Sequence, residues 1–344
     1  MKRLIMPILM LFIFLLFIPF ISIIGRNNSD SKLSEFSSEP SSSKSSSDSP
    51  KDNNTSVDTA NSVILLDRAT GNKLTLSMYD YVCGAVISEM PVSYDLEALK
   101  AQALCCKTLA YRQRQNVQNG NDLQLDGAYL EMDSSINYGY VDMESAKQSW
   151  GENAEENEKK IRSAVDEIID KLITYDGEAI LPAYHAISSG TTEKASTWWG
   201  EDIPYLQSVD SSLDEQADNF ETSVTLSKNE LISMLSAQYS DITLPQNPEE
   251  WISIDSVSQS GNVTVMSVAG QIMNGSRFRT LTGLRSACFE ATPNEDSITL
   301  TVKGYGHGVG MSQYGAGAMA ANGDSYEDII KHYYSEVEIV EDVQ

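Results

Sequence analysis

The stretch YDLEALKAQALCCKTLAYRQRQN, Tyr94–Asn116, sets the architecture of the chain. Leu96, Leu99, Ala103, Cys106 and Ala110 recur at helical spacing and form an apolar stripe. Ser93 is placed to cap this helix. Asp95 and Glu97 fall in its first turn, where the helix dipole favours acids. Lys107, Tyr111 and Arg114 border the stripe. Cys105 and Cys106 lie on the same helix, Cys106 on its apolar side, which suits buried structural thiols better than nucleophiles.

Working outward, Ser62–Asp67 and Lys73–Ser77 read as strands around the turn Ala69–Asn72. Met78–Met90 is apolar and mixed, and Pro91 ends it. Residues 117–140 are irregular. Glu155–Lys171 reads as an amphipathic helix through Ile161, Val165, Ile168 and Ile169, with strand-like runs at Leu172–Tyr175 and Ile180–Ile187. A short helix is expected at Asn229–Gln238. Strands are expected at Trp251–Ser258, Asn262–Val268, Arg277–Thr280 and Ser297–Lys303. A glycine-rich turn, Gly304–Gly310, opens into Met311–Asn322, and a last helix covers Tyr326–Tyr334. The mixture predicts an α+β fold, helices and short strands around a central groove, without the alternation of a doubly wound sheet.

Ahead of this domain, Lys2 and Arg3 precede an uncharged apolar run, Leu4–Ile24, and Arg26 follows it. About twenty apolar residues match a bilayer's hydrocarbon thickness. No small-x-small site closes the run and no Cys follows it, so residues 1–26 read as an uncleaved transmembrane anchor rather than a signal peptide. The basic start stays cytoplasmic and the remainder lies outside the membrane. Residues 27–61 are Ser-rich and poor in apolar side chains, a tether with a mean span of about 30 Å. Residues 62–344 form the globular part, in which 210–250 is open to being an inserted arm.

The chain has 344 residues and a net charge of −25, which argues against nucleic acid and against charge-driven docking on anionic lipid. Three histidines and four cysteines without a C-x-x-C pair give no zinc ribbon and no disulfide framework.

Three segments could carry chemistry. Glu89 in VISEMP has apolar neighbours on both sides, which would push its carboxyl toward the neutral form a general acid needs. The plainer reading is a surface acid before a turn. AYHAISSGTTE, Ala183–Glu193, with Trp198, Trp199 and Tyr205 downstream, combines a histidine, hydroxyls and paired tryptophans, as carbohydrate contacts do. The plainer reading makes the tryptophans core and the serines a turn. KGYGHGVGMSQYGA, Lys303–Ala316, has glycines at alternate positions, so backbone can approach a ligand closely, and it runs into a helix N-terminus. It lacks the P-loop spacing, and the chain has no G-x-S-x-G elbow.

Together with YDYVCGAVISEMP, LEALKAQALCCKTLAYRQ and RTLTGLRSACF, these segments resemble the stage II sporulation protein D family, the SpoIID/LytB domain, over residues 62–341. The resemblance implies a membrane-anchored lytic transglycosylase acting during engulfment of the forespore. Its substrate would be glycan strands stripped of stem peptides by an amidase, stage II sporulation protein P. Stage II sporulation protein M would be a second partner, and the domain would face the engulfment space from the mother-cell membrane. The family's catalytic Glu falls at Glu89, and its Arg on the next helix falls at Lys107, which keeps the charge but loses the forked guanidinium. Some members hold zinc through one His and two Cys after that helix. Residues 115–145 contain neither, so no metal and no cofactor are expected.

The implied chemistry needs one carboxyl. A hydrolase uses two, whereas a lytic transglycosylase takes the muramic acid 6-hydroxyl as nucleophile and leaves a 1,6-anhydro end. Lys107, His185, Ser189, Thr192, Tyr205, His307, Gln313 and Tyr314 are the expected sugar contacts. Lys107 and Arg112 would make the cationic cleft that an anionic glycan needs on so acidic a chain. A non-enzymatic wall-binding activator of an amidase is the alternative. A metal-dependent hydrolase using His185 and His307 is a third reading.

Overall fold

The computed structural model describes residues 61–342 except 122 and 237. The expected anchor, and the tether up to residue 60, lie outside the described residues. Among the described residues no helix is long and apolar enough to cross a membrane.

Strands β1 (Ser62–Asp67) and β2 (Lys73–Ser77) form the expected antiparallel hairpin. The segment Met78–Met90, uniform in hydropathy, folds as helix α1 (Met78–Glu89), and the Ser77 hydroxyl caps it by accepting from the Asp80 N–H. Helix α2 (Leu96–Gln118) starts two residues later than the sequence suggests: Asp95 is its N-cap and Ser93 lies outside it. Strand β3 (Leu130–Met132), inside the stretch expected to be irregular, pairs parallel with β1. Helices α3 (Met143–Trp150) and α4 (Ala154–Asp166) follow, then β4 (Lys171–Tyr175) and β5 (Glu178–Ala179). In the run expected to be one strand to Ile187, Pro182 has no N–H to donate, and the pairing resumes only at β6 (Tyr184–His185). The short helix α5 (Ala195–Trp199) carries both tryptophans of that region.

Next come β7 (Glu221–Ser227), α6 (Lys228–Ser236), β8 (Ile252–Val257), β9 (Val263–Val268), β10 (Gln271–Met273), α7 (Gly275–Thr282), β11 (Phe289–Pro293) and β12 (Ser297–Lys303). The region expected as the strand Arg277–Thr280 is helical. Asn274 accepts from the Arg277 N–H and left-handed Gly283 closes the helix, so the two caps outweigh a short alternating pattern. Strands β13 (Met311–Ser312) and β14 (Glu338–Glu341) flank α8 (Gln313–Ala321) and α9 (Tyr326–Tyr333). The fold is mixed α and β with small sheets, as the α+β reading expects.

Helix α2 is the centre of the first lobe. Residues on nearly every side of it are buried, from Ala98 and Leu99 to Cys105, Cys106 and Arg114, because α1, α4, α8, α9 and β4 all pack on it. The buried face is therefore much wider than one stripe, and small residues at 98, 101, 103 and 110 let the neighbours approach closely. Each buried leucine, such as Leu99 or Leu104, contributes about 2 kcal/mol.

A second apolar core, built by residues between Leu226 and Val302 around Trp251, Met266 and Phe278, is separate from the first. This second lobe leaves and re-enters the first at one place. Glu221 pairs with Lys303, and the Gly304 N–H donates to the Phe220 carbonyl at 2.7 Å.

Candidate active site

Glu89 is the last residue of α1. Pro91 prevents the helix from continuing, and the carboxyl sits at the negative end of the helix dipole. The residue keeps a partly exposed edge, while its carboxyl is desolvated. That burial pushes its pKa up to about 7, opposed by a hydrogen bond from Gln313. The Glu89 charge in turn raises the phenols of Tyr81, Tyr138 and Tyr184, whose main shift is burial, so all three lie within reach of its field. Gln313 Nε2 also donates to the Glu89 backbone carbonyl at 3.0 Å and to Gln102 Oε1 at 3.2 Å. It thereby ties the end of α1 to α2 and to the start of α8.

Gln313 is positioned by the glycine turn. Gly304, Gly306, Gly308 and Gly310 all have positive φ, between 72° and 128°. A Cβ on Gly310 would lie 2.0 Å from the Ala183 carbonyl oxygen, and one on Gly304 would lie 2.8 Å from those of Ile187 and Ser188. The turn thus presses directly on the backbone of 183–188 and lets β13 pair parallel with β6, Met311 opposite Tyr184. Beneath it lie two buried carboxylates. Asp214 accepts from the Ser188 N–H at 2.7 Å, the Ser312 hydroxyl at 2.9 Å and the Ser211 hydroxyl at 3.1 Å. Glu193 accepts from Ser258 and Ser260 hydroxyls, Asn262 Nδ2 and the Lys194 N–H. Their acceptor sites are occupied by donors of the scaffold, so they hold loops and are not placed for proton transfer.

Side chains alternate along β6. Tyr184 faces Glu89. His185 sits in a second group, its ring centroid 5.7 Å from His307, which in turn lies 6.2 Å from Trp198 and 5.8 Å from Trp199. Burial lowers both imidazoles most; His185 and then Arg279 lower His307 further, and Arg279 also lowers His185, with no contribution from Glu89 to either. The site residues therefore fall into two neighbouring groups that share the Tyr184–His185 strand.

Known proteins resemble the chain along most of its length. A family model described as stage II sporulation protein, SpoIID, matches residues 68–175. Stage II sporulation protein D of Bacillus amyloliquefaciens is 38% identical over 267 residues, 77% of this chain and 75% of that protein. The chain belongs to the SpoIID family. Stage II sporulation protein D of Bacillus subtilis (strain 168) is 34% identical over 266 residues, 77% of this chain and 75% of that protein. An amidase enhancer of the same strain is 28% identical over 303 residues, covering 73% of this chain and 39% of that protein. SpoIID members are sporulation proteins, and the resemblance read from the motifs is shown at this level.

In this SpoIID chain the expected sugar contacts separate. Gln313 and, through Tyr184, the β6 strand reach Glu89. Lys107 does not. It is 2% exposed, ion-paired with Asp342, and its ammonium lies 5.4 Å from the Tyr111 ring centroid. Arg112 donates to the Ala179 carbonyl at 2.5 Å and, with Tyr205, lines a different cleft of about 520 Å³ beside Asn116 and Tyr175. The Tyr205 hydroxyl accepts from the Leu181 N–H at 2.9 Å. The cationic cleft expected from Lys107 and Arg112 is thus not formed around Glu89. Ser189 donates to the Ser260 carbonyl at 2.6 Å. Thr192 is fully buried and accepts from the Val209 N–H at 2.9 Å, so both hydroxyls hold the scaffold. Tyr314 is half-buried near Tyr94, its N–H donating to the Ala186 carbonyl at 3.0 Å. The four cysteines are free, and burial pushes the Cys105 thiol up to about 12, which keeps it an unreactive thiol.

Lys107→Ala is expected to lower stability by about 3 kcal/mol, because it leaves Asp342 unpaired beside the core. A substrate contact would instead leave the urea midpoint unchanged and raise KM.

Sequence reading missed Tyr81, Tyr138 and Tyr184 as neighbours of Glu89. Tyr81 and Glu89 are eight residues apart on one helix and Tyr184 precedes His185, both findable signals. Nothing local marks Tyr138.

Proposed function

We propose that this chain is a peptidoglycan lytic transglycosylase with Glu89 as its general acid and base. The observation that carries this is the Glu89 carboxyl, desolvated at the end of α1 so that its pKa rises to about 7, on which no second carboxylate acts among the described residues. Paired acids are the rule for glycoside hydrolysis, at about 5–5.5 Å for retention and about 6.5–9.5 Å for inversion. A lone acid suits a reaction whose nucleophile is in the substrate. Protonated Glu89 gives its proton to the glycosidic oxygen as the C1–O bond breaks. The resulting carboxylate then takes the proton of the muramic acid 6-hydroxyl as that oxygen closes on C1. Atoms and charge balance, Glu89 ends protonated, and the product is a 1,6-anhydro end. The surrounding phenols supply donors that retain their protons throughout, since burial holds them above the ordinary tyrosine range.

The substrate in this reading is peptide-stripped glycan, and the setting is the engulfing mother-cell membrane with residues 1–26 as anchor. Stage II sporulation proteins P and M are the proposed partners. Incubation with peptide-free glycan strands, followed by mass spectrometry, should show a loss of 18 mass units relative to hydrolysed ends. Hydrolysed reducing ends, or intact strands, would reject the proposal.

The similarity to an amidase enhancer favours one second reading, a wall-binding protein that activates an amidase without cleaving glycan. A chain that stimulates a purified amidase equally well with Glu89 replaced by Gln would support it.

A further inference from the structure

The second group at β6 is built around one peptide unit. The Val309 carbonyl lies 3.2 Å from His185 Nδ1, and a carbonyl only accepts, so the His185 proton is on Nδ1 and Nε2 is a bare lone pair. The Val309 N–H donates to His307 Nδ1 at 3.0 Å, so the His307 proton is on Nε2, where the Tyr184 backbone receives it. Burial keeps both rings neutral, His185 down to about 4 and His307 well below its ordinary value. His185 is 3% exposed, and its Nε2 has no hydrogen-bond partner. A buried acceptor held in a fixed tautomer and left without a donor calls for an O–H or N–H from outside.

What surrounds it defines the ligand. Trp199 is 36% exposed, and its ring centroid lies 5.8 Å from that of His307. From the second lobe, Arg279 on α7 stands 5.9 Å from the Trp198 ring, and its Nε donates to the Leu284 carbonyl at 3.2 Å. Burial lowers its pKa to about 10, so it is a cation at neutral pH. Among the described residues no three metal-ligating side chains converge, and a guanidinium at this place repels a metal ion.

We propose that the junction of the two lobes is a saccharide subsite distinct from the Glu89 pocket, selecting a sugar unit that bears a carboxylate. The sugar ring packs on Trp199, a hydroxyl or amide of the sugar donates to His185 Nε2, and Arg279 pairs with the carboxylate. The choice of a glycan as ligand rests on the proposed function. The acid preference rests on Arg279, which on a chain of net charge −25 supplies the local attraction an anionic ligand requires.

The test uses the full chain carrying Glu89→Gln, so that binding is read without turnover. Tryptophan fluorescence and calorimetry follow titration with a peptide-free GlcNAc–MurNAc tetrasaccharide and with chitotetraose, which lacks the lactyl carboxylate. The acid-bearing sugar is expected to bind about tenfold more tightly. Adding Arg279→Gln should bring the two within about twofold by weakening the acid-bearing sugar alone, and Arg279→Lys should restore part of the difference. His185→Phe should weaken both sugars. Where that variant does not fold by circular dichroism, the Arg279 pair decides. Equal affinities at the outset, or a preference that survives Arg279→Gln, overturn the subsite. Absence of anhydro products from the unsubstituted chain would overturn the cleavage reading while leaving an Arg279-dependent preference intact, so the two failures are distinguishable.

Discussion

Glu89→Gln is expected to lower the release of 1,6-anhydro ends by between about 100-fold and 10,000-fold, the usual contribution of a positioned general acid. The same substitution should make the protein more stable at neutral pH. A carboxyl at about 7 in the folded chain against 4.5 when exposed binds more protons folded than unfolded. Stability then falls as pH rises through that window, from full below 4.5 to its lowest above 7. The difference amounts to about 2–3 kcal/mol, allowing for the partly exposed edge of the residue. Glutamine keeps the shape and carries no charge, so the variant should gain that amount at pH 8 and almost nothing at pH 4. Urea unfolding of both proteins at the two pH values measures it. A variant less stable than its parent at pH 8 would mean the carboxylate is well paired, and the acid role would fail with it. On the proposed mechanism the unsubstituted chain should lose kcat/KM about tenfold per pH unit above about 7, as the required proton is lost.

Gly310→Ala should cost at least about 3 kcal/mol and abolish cleavage as well. Its Cβ would stand 2.0 Å from the Ala183 carbonyl oxygen at a φ of +72°. That carbonyl already accepts from the Met311 N–H at 3.0 Å and the Tyr334 hydroxyl at 2.8 Å, so it has no room to retreat. Relief requires parting β13 from β6, which moves Tyr184 and Gln313 away from Glu89. The backbone contribution can be measured separately. Gly71 has a φ of +73° with open space around it, so Gly71→Ala carries the left-handed conformational cost, about 1–2 kcal/mol, and nothing more. Equal losses in the two variants, read from urea midpoints, would show that contact with Ala183 is unimportant.

The parts of the fold legible in the sequence are those with local contrast. The hairpin of β1 and β2 alternates and turns at recognisable residues, and α4 has a clear apolar face. Helix α1 was obscured because burial on most sides leaves no polar stripe, and only Ser77 and Asp80 at its start betray it. The strand expected at Arg277–Thr280 came from four alternating residues, too short a window to outvote Asn274 and Gly283. The site shows the same division. Glu89 was picked out by its apolar neighbours in sequence. Its hydrogen-bond partner Gln313 and the phenols its charge reaches, Tyr138 and Tyr184, lie far along the chain. Lys107 looked like a border residue because its partner, Asp342, is 235 positions away. Arg279 carries no local signal, since its place beside Trp198 exists only once the second lobe has docked.

The meeting of Phe220 with Gly304 bears on how such a molecule could be rebuilt. Excising 221–303 would leave two stumps already at hydrogen-bond distance, so a tight turn could bridge them and the first lobe would keep its apolar core, but the buried Glu193 carboxylate would lose the Ser258, Ser260 and Asn262 donors. The lobe is in this sense a graft that any replacement must match at Glu193. A substitute lobe that kept those donors would change the residue standing beside Trp198, where Arg279 is now, and leave Glu89 in place at the end of α1.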